Sequence, residues 1–335
     1  MPRQIPRRSL IVGGLGAFGG LIGGPLTGCS PAPSPAGTPP ATGSGSASPT
    51  AVATRTVSTA EGDVTVPVTP RRVVVLDTAE LDSALTLGIT PVGAARAARN
   101  AAFPDYWPAS RLADTLYVGP IGEPDLDLIT GLDPDLILSN QARDGDRYES
   151  LSAIAPTVLT ASTGYTWKQN VQTHARALNQ QDSADLVTDG YAQHLNSAVS
   201  ALGGHSRTSG LRISLLRFVE GESPRLYATH NFLGVVLADL GLGRPPSQAG
   251  AVFDVPLTDP AQLADVDGSA VFYATYGDPV KAGTTAVVGS APWRALQAVK
   301  DQQAFAVDDE LWFQGIGYTG ANLVVSQLQK FLVAL

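Results

Sequence analysis

Cysteine occurs once in 335 residues, at position 29. That excludes an internal disulfide and a thiolate cage, so the fold must stand on its core alone. Histidine is nearly as scarce: His174, His194, His205 and His230. None stands at ligand spacing from another, so no metal centre built from the protein's own side chains is expected. There is no G-x-S-x-G nucleophile elbow, no phosphate-binding loop and no H-E-x-x-H pair. Two stretches do match G-x-G-x-x-G, "GLGAFG" (14–19) and "GIGYTG" (315–320). The first falls inside a leader, and too little chain follows the second for the βαβ unit of a dinucleotide site. Charge is sparse as well, 16% of residues with a net of −8. An acidic chain is a poor partner for nucleic acid and mildly disfavours a strongly anionic small ligand.

What is present begins with "MPRQIPRRSL", carrying Arg3, Arg7 and Arg8 and no acid. An uncharged, glycine-rich run "IVGGLGAFGGLIGG" follows, too short and too broken for a comfortable membrane span. This is the pattern of a secretory signal. It closes on Leu26-Thr27-Gly28-Cys29, which resembles the bacterial lipobox, so residues 1–29 read as a signal peptide with Cys29 as the lipidation site. Two acyl chains on one residue suffice for stable anchoring. Arg7-Arg8 also fits a twin-arginine signal, so either export route stays open. Residues 30–54 are Pro, Gly, Ser, Thr and Ala almost throughout, up to Thr54, and read as a disordered tether. The protein is therefore expected outside the cytoplasmic membrane and tied to its outer face. Removal of residues 1–28 moves the net charge from −8 to −11.

Beyond the tether the chain alternates. "RRVVVLD" (71–77) is the β-branched run of a strand buried on both faces, and "TAELDSALTLG" (78–88) has helical spacing and ends on glycine. "ITPVGAA", "DLDLITGL", "PDLILSN", "RYESLSAI" and "APTVLT" continue as strand, helix, strand, helix and strand. Residues 166–204 then carry no strand signal, and Val187, Tyr191, Leu195, Val199 and Leu202 mark one stripe of a long amphipathic helix. Alternation resumes with "LRISLLRF", "SPRLYAT", "FLGVVLADLGL", "SAVFYAT" and "QAFAVD", and ends in a helix over 319–334. The pattern predicts an α/β fold of two lobes, 55–165 and 205–335, each with a mostly parallel sheet flanked by helices, joined by a single long α-helix within 166–204.

Several phrases in order resemble the iron–siderophore ABC transporter substrate-binding lipoproteins, whose two lobes are bridged by one long helix. These are "TPRRVVVLDTAELDSALTLGITPVGA" (69–94), "GEPDLDLITGLDPDLIL" (122–138), "YESLSAIAPTV" (148–158) and "LWFQGIGYTGANLVVSQL" (311–328). "LLRFVEGESPRLYATHNFLGVVLADLGLGRP" (215–245) is most similar to the ferric hydroxamate binders. The resemblance implies a non-enzymatic, monomeric binding protein with no cofactor. It would capture an Fe³⁺–siderophore complex in an interlobe cleft and deliver it to an ABC permease. The siderophore itself supplies the iron ligands, which suits the lack of His and Cys clusters. Arg217 matches the arginine that hydroxamate binders aim into the cleft, where a planar fork can donate to iron-bound oxygens. Trp312 matches a ligand-packing tryptophan. Arg143 follows a predicted parallel strand, where α/β sheets bind ligands. Arg225, Tyr227 and Tyr276 are further ligand-binding candidates. For permease docking the resemblance points to one acid per lobe, Asp127 in the first. The matching position in the second is Ala261, with Asp259 two residues earlier as the substitute.

Each of these residues also has a plain structural reading: a strand arginine paired with a carboxylate, a core tryptophan, a solvated helix acid. Haem, cobalamin or a catecholate siderophore would suit the same fold. A secreted α/β enzyme would require a Ser or Asp with a nearby His lining the cleft, and a sensory lipoprotein would have Arg217 turned outward.

Overall fold

The computed structural model describes residues 53–97 and 102–333. The expected signal segment, Cys29 and all but the last two residues of the tether lie outside them. A hairpin comes first: β1 (Thr54–Thr59) and β2 (Gly62–Pro67) pair antiparallel, Thr54 opposite Pro67 and Thr59 opposite Gly62. Thr and Val alternate along it, and Val57 and Val66 point into the core. The alternation reading above missed this hairpin.

The first sheet runs β5-β4-β3-β6-β7 and is parallel throughout. Its strands are β3 (Val73–Val75), β4 (Gly93–Arg96), β5 (Leu116–Pro120), β6 (Leu136–Asn140) and β7 (Thr157–Thr160). β3 is central and wholly buried, as its run of β-branched residues requires. The chain winds outward from β3 through β4 to β5, then returns to β6 on the other side. The strand order therefore reverses between β3 and β6. In open α/β sheets, the crevice at such a reversal is where ligands bind.

The second sheet runs β10-β9-β8-β11-β12, with β8 (Ile213–Val219), β9 (Arg225–Tyr227), β10 (Asp254–Pro256), β11 (Ala270–Tyr276) and β12 (Ala304–Ala306). β8, β11 and β12 are parallel; β9 is antiparallel to both β8 and β10. The mostly parallel sheets and the strand–helix rhythm are as the sequence predicts.

Six helices matter for the site: α1 (Thr78–Thr86), α2 (Leu126–Gly131), α3 (Trp167–Leu178), α4 (Gln181–Ala201), α5 (Phe232–Asp239) and α6 (Tyr318–Leu332). The chain passes from the first sheet to the second through α3 and α4. With 21 residues, α4 is about 30 Å long. Of its apolar stripe Tyr191, Val199 and, just beyond the last turn, Leu202 are buried, while Val187 and Leu195 are half-buried. Trp167 anchors the junction, edge-on to Tyr191, Phe232 and Tyr318 at 5.8, 5.6 and 4.8 Å between centroids. Such pairs contribute about 0.5–1.5 kcal/mol each beyond burial. Among the described residues, no helix is long and apolar enough to cross a membrane.

The final helix explains the second glycine motif. α6 has no capping side chain of its own. Asp82 of α1 caps it instead, accepting from the backbone N–H of Thr319 (3.3 Å) and Gly320 (3.1 Å). A Cβ on Gly317 would sit 2.1 Å from Asp82 Oδ1, and one on Gly320 would sit 1.8 Å from the Gly315 carbonyl oxygen. "GIGYTG" is thus a close-packing motif.

Candidate functional site

A cavity of about 470 Å³ opens between the two sheets, lined from both sides. The first lobe contributes residues at the strand-order reversal. Asp77 follows β3 and caps α1, its Oδ1 accepting from Thr78 N–H at 2.6 Å. Arg143 lies in the short helical turn after β6 and donates from Nε to Asp77 Oδ2 at 3.0 Å, with half its side chain exposed. Asn140, the last residue of β6, also donates to Asp77 Oδ2, at 3.3 Å.

The second lobe supplies most of the lining. Arg217 projects from β8 and Arg225 from β9, directly opposite in the register. Arg217 meets Asp309 through two parallel bonds, Nε to Oδ1 and Nη2 to Oδ2, both 2.7 Å. Its Nη1 donates to Tyr227 Oη at 2.9 Å. The guanidinium carbon lies 5.3 Å from the Phe313 ring and 5.5 Å from that of Tyr276. Burial opposes the charge, but Asp309 and Tyr227 outweigh it and hold the guanidinium above its ordinary pKa. Burial likewise raises the Tyr227 phenol, against the pull of Arg217. Arg225 pairs with Glu222 and, at 3.1 Å, with Asp254.

All six residues expected at the ligand therefore line one cavity: Arg143, Arg217, Arg225, Tyr227, Tyr276 and Trp312. They are not equally available. Trp312 is fully buried, stacked on Phe272 at 4.8 Å, and its indole N–H donates to Gln327. The ring that covers the cleft beside it is Phe313, edge-on to Tyr227 at 4.7 Å. Trp312, Phe313 and Gln314 sit on a π-helical turn, Glu310–Gln314, a device that often marks functional sites. Asp309, Phe313 and Phe253 escaped the sequence reading. The run "DDELWF" carries two adjacent acids before its aromatics, and that was the available signal.

Asp127 is exposed in the first turn of α2, two residues after the capping Asp125. In the second lobe Asp259 caps the helical turn Pro260–Val266 through Ala261 N–H, with Gln262 completing a capping box. Asp259 thus corresponds by position to Asp125, and Ala261 to Asp127. Cys29 lies outside the described residues.

One constellation imitates a catalytic triad. His174 Nδ1 lies 2.9 Å from Ser83 Oγ, and its Nε2 lies 3.6 Å from Glu80 Oε1. All three are buried and none lines the cleft. Burial pushes His174 down to about 3. Burial and the nearby Asp77 push Glu80 up to about 8. Both are neutral near pH 7, and no substrate reaches the serine. Among the described residues, no group of three His, Cys, Asp or Glu side chains is placed to hold a metal ion.

The family model for periplasmic binding proteins matches residues 73–311. The chain is 32% identical over 291 residues to "Probable siderophore-binding lipoprotein YfiY" of Bacillus subtilis, covering 84% of this chain and 88% of that one. It is 30% identical over 270 residues to "Fe(3+)-citrate-binding protein YfmC" of the same organism, covering 78% and 81%. Among solved structures, Staphylococcus aureus SirA complexed with staphyloferrin B superimposes with a TM-score of 0.74 at 26% identity, covering 83% of this chain and 98% of SirA.

Proposed function

The chain belongs to the periplasmic binding protein family, and on that premise we propose that it captures a ferric siderophore, of hydroxamate type, between its lobes and hands it to an ABC permease. The observation that carries this reading is the lining of the cleft. Arginines from both sheets and the rings of Tyr227, Tyr276, Phe253 and Phe313 converge on one cavity. Guanidinium N–H groups can donate to iron-bound oxygens, while the rings cover the apolar spacers between chelating groups. The iron keeps the ligands of its chelator, so the protein need provide none. Binding without covalent chemistry accords with the inaccessible Ser83 and with relatives that are binding proteins. Cys29 would carry the lipid that ties the chain to the outer face of the cytoplasmic membrane. Asp127 is the docking acid of the first lobe. With Ala261 at the matching place and Asp259 engaged as a cap, docking onto the permease is asymmetric.

A carboxylate-type ferric complex is the second reading, favoured by the arginines and by the citrate named for one relative. The test is a tryptophan-fluorescence titration with a ferric trihydroxamate, ferric citrate, a ferric tricatecholate, haem and cobalamin. Saturable sub-micromolar quenching by the trihydroxamate supports the primary reading. Saturation by ferric citrate alone transfers the assignment to the second, and no saturation by any of the five removes the capture reading.

A further inference from the structure

Resting on the capture reading above, we infer that Asp309 sets the charge selectivity of the cleft, so that it accepts ferric complexes of low net charge and discriminates against strongly anionic ones. Arg217 and Arg225 stand directly opposite across β8 and β9, an arrangement that is destabilising unless the charges are compensated. Here they are compensated. Asp309 takes the forked edge of Arg217, and Glu222 and Asp254 take Arg225. Across the cavity Asp77 takes Arg143. Three guanidinium groups thus face four carboxylates, and among the described residues these pairs leave no positive excess at the cleft.

The hydrogen-bond inventory points the same way. Of the five N–H groups on a guanidinium, Arg217 has two on Asp309 and one on Tyr227. The side-on edge of Nε and Nη2, which would fork onto an anionic carboxylate, is occupied by the protein's own. What remains is one N–H on each of Nη1 and Nη2, donors that suit the oxygens of an uncharged iron complex. Three hydroxamates neutralise Fe³⁺, whereas three catecholate dianions leave a trianion. Of the three acids that compensate the facing pair Arg217 and Arg225, Asp309 dominates because it is screened least. Its side chain is 6% exposed and Gln314 donates to Oδ2 at 2.7 Å, whereas Glu222 and Asp254 are 47% and 21% exposed. Asp308 and Glu310 flank it and add to the negative field.

The test compares the full-length protein with Asp309→Asn and Asp254→Asn, titrated with ferrioxamine B, a trihydroxamate bearing a free ammonium, and with a ferric tricatecholate trianion. The unaltered protein is expected to prefer ferrioxamine B. Asp309→Asn should weaken that ligand and strengthen the trianion, moving the ratio of dissociation constants by about tenfold or more. Asp254→Asn should move it the same way by less, since Arg225 keeps Glu222. Loss of shape alone would weaken both ligands together. An unchanged ratio in Asp309→Asn, or a native preference for the trianion, overturns the inference while leaving capture intact. Failure of the unaltered protein to bind any ferric complex refutes the capture reading instead.

Discussion

Replacing Asp82 by asparagine isolates the joint between the lobes, because that one carboxylate caps α6 from a helix 237 residues earlier in the chain. Asp82 is fully buried and also accepts from Thr86 Oγ1 at 3.0 Å and Tyr106 Oη at 3.4 Å. Burial dominates over these bonds and raises its pKa from 3.8 to about 6. For a carboxyl group raised on folding, its contribution to stability is complete below the unfolded value. That contribution is lost as pH climbs through the folded one. About two pKa units at ~1.36 kcal/mol each make the full loss about 3 kcal/mol, of which about 2 kcal/mol falls between pH 4.5 and 7.5. Asparagine does not titrate, so urea unfolding of both proteins across that range reads the effect as a difference. Relative to the variant, the unaltered protein should lose about 2 kcal/mol on going from pH 4.5 to 7.5. The slope carries the test whatever constant offset the amide introduces. Glu80, raised to about 8, titrates equally in both proteins and cancels. A difference that stays flat with pH, or grows in the opposite sense, would refute the reasoning that an ionised Asp82 is held there at a cost.

Arg217→Ala is expected to cost about 3 kcal/mol of stability besides weakening ligand binding, because it strands buried Asp309. The double variant Arg217→Ala with Asp309→Ala should recover most of that stability, without recovering binding, in paired denaturation and titration experiments. His174, held down to about 3 by burial, should show no ring-nitrogen titration by NMR between pH 5 and 8; a midpoint near 6.5 would mean that water reaches it. Gly320→Ala should destabilise by about 3 kcal/mol or more in thermal melts, since its Cβ would overlap the Gly315 carbonyl oxygen. A melting point within about 1 °C of the unaltered protein would mean that α6 shifts freely at its start.

The sequence by itself determined the alternation. "VVV" at β3, "LILSN" at β6 and "ISLLRFV" at β8 are buried runs, legible because burial on both faces selects apolar residues and admits only small polar ones with partners, as at Ser139, Asn140 and Ser214. The one charged residue in these runs, Arg217 within β8, was legible as a candidate for the same reason: a charge in such a strand needs compensation or a cleft, and here it has both. Short or peripheral strands such as β5 and β10, and the β1–β2 hairpin, left only weak patterns, since edges bury little and constrain composition little. Tertiary structure alone decided the partners. Asp309 lies 92 residues from Arg217, and Asp82 lies 238 from Gly320. A pairing at such separation has no period and no motif, because it arises only when packed sheets bring distant segments within hydrogen-bond reach. The same holds for Trp312, whose identity the sequence shows but whose burial against Phe272 only the packed second lobe dictates.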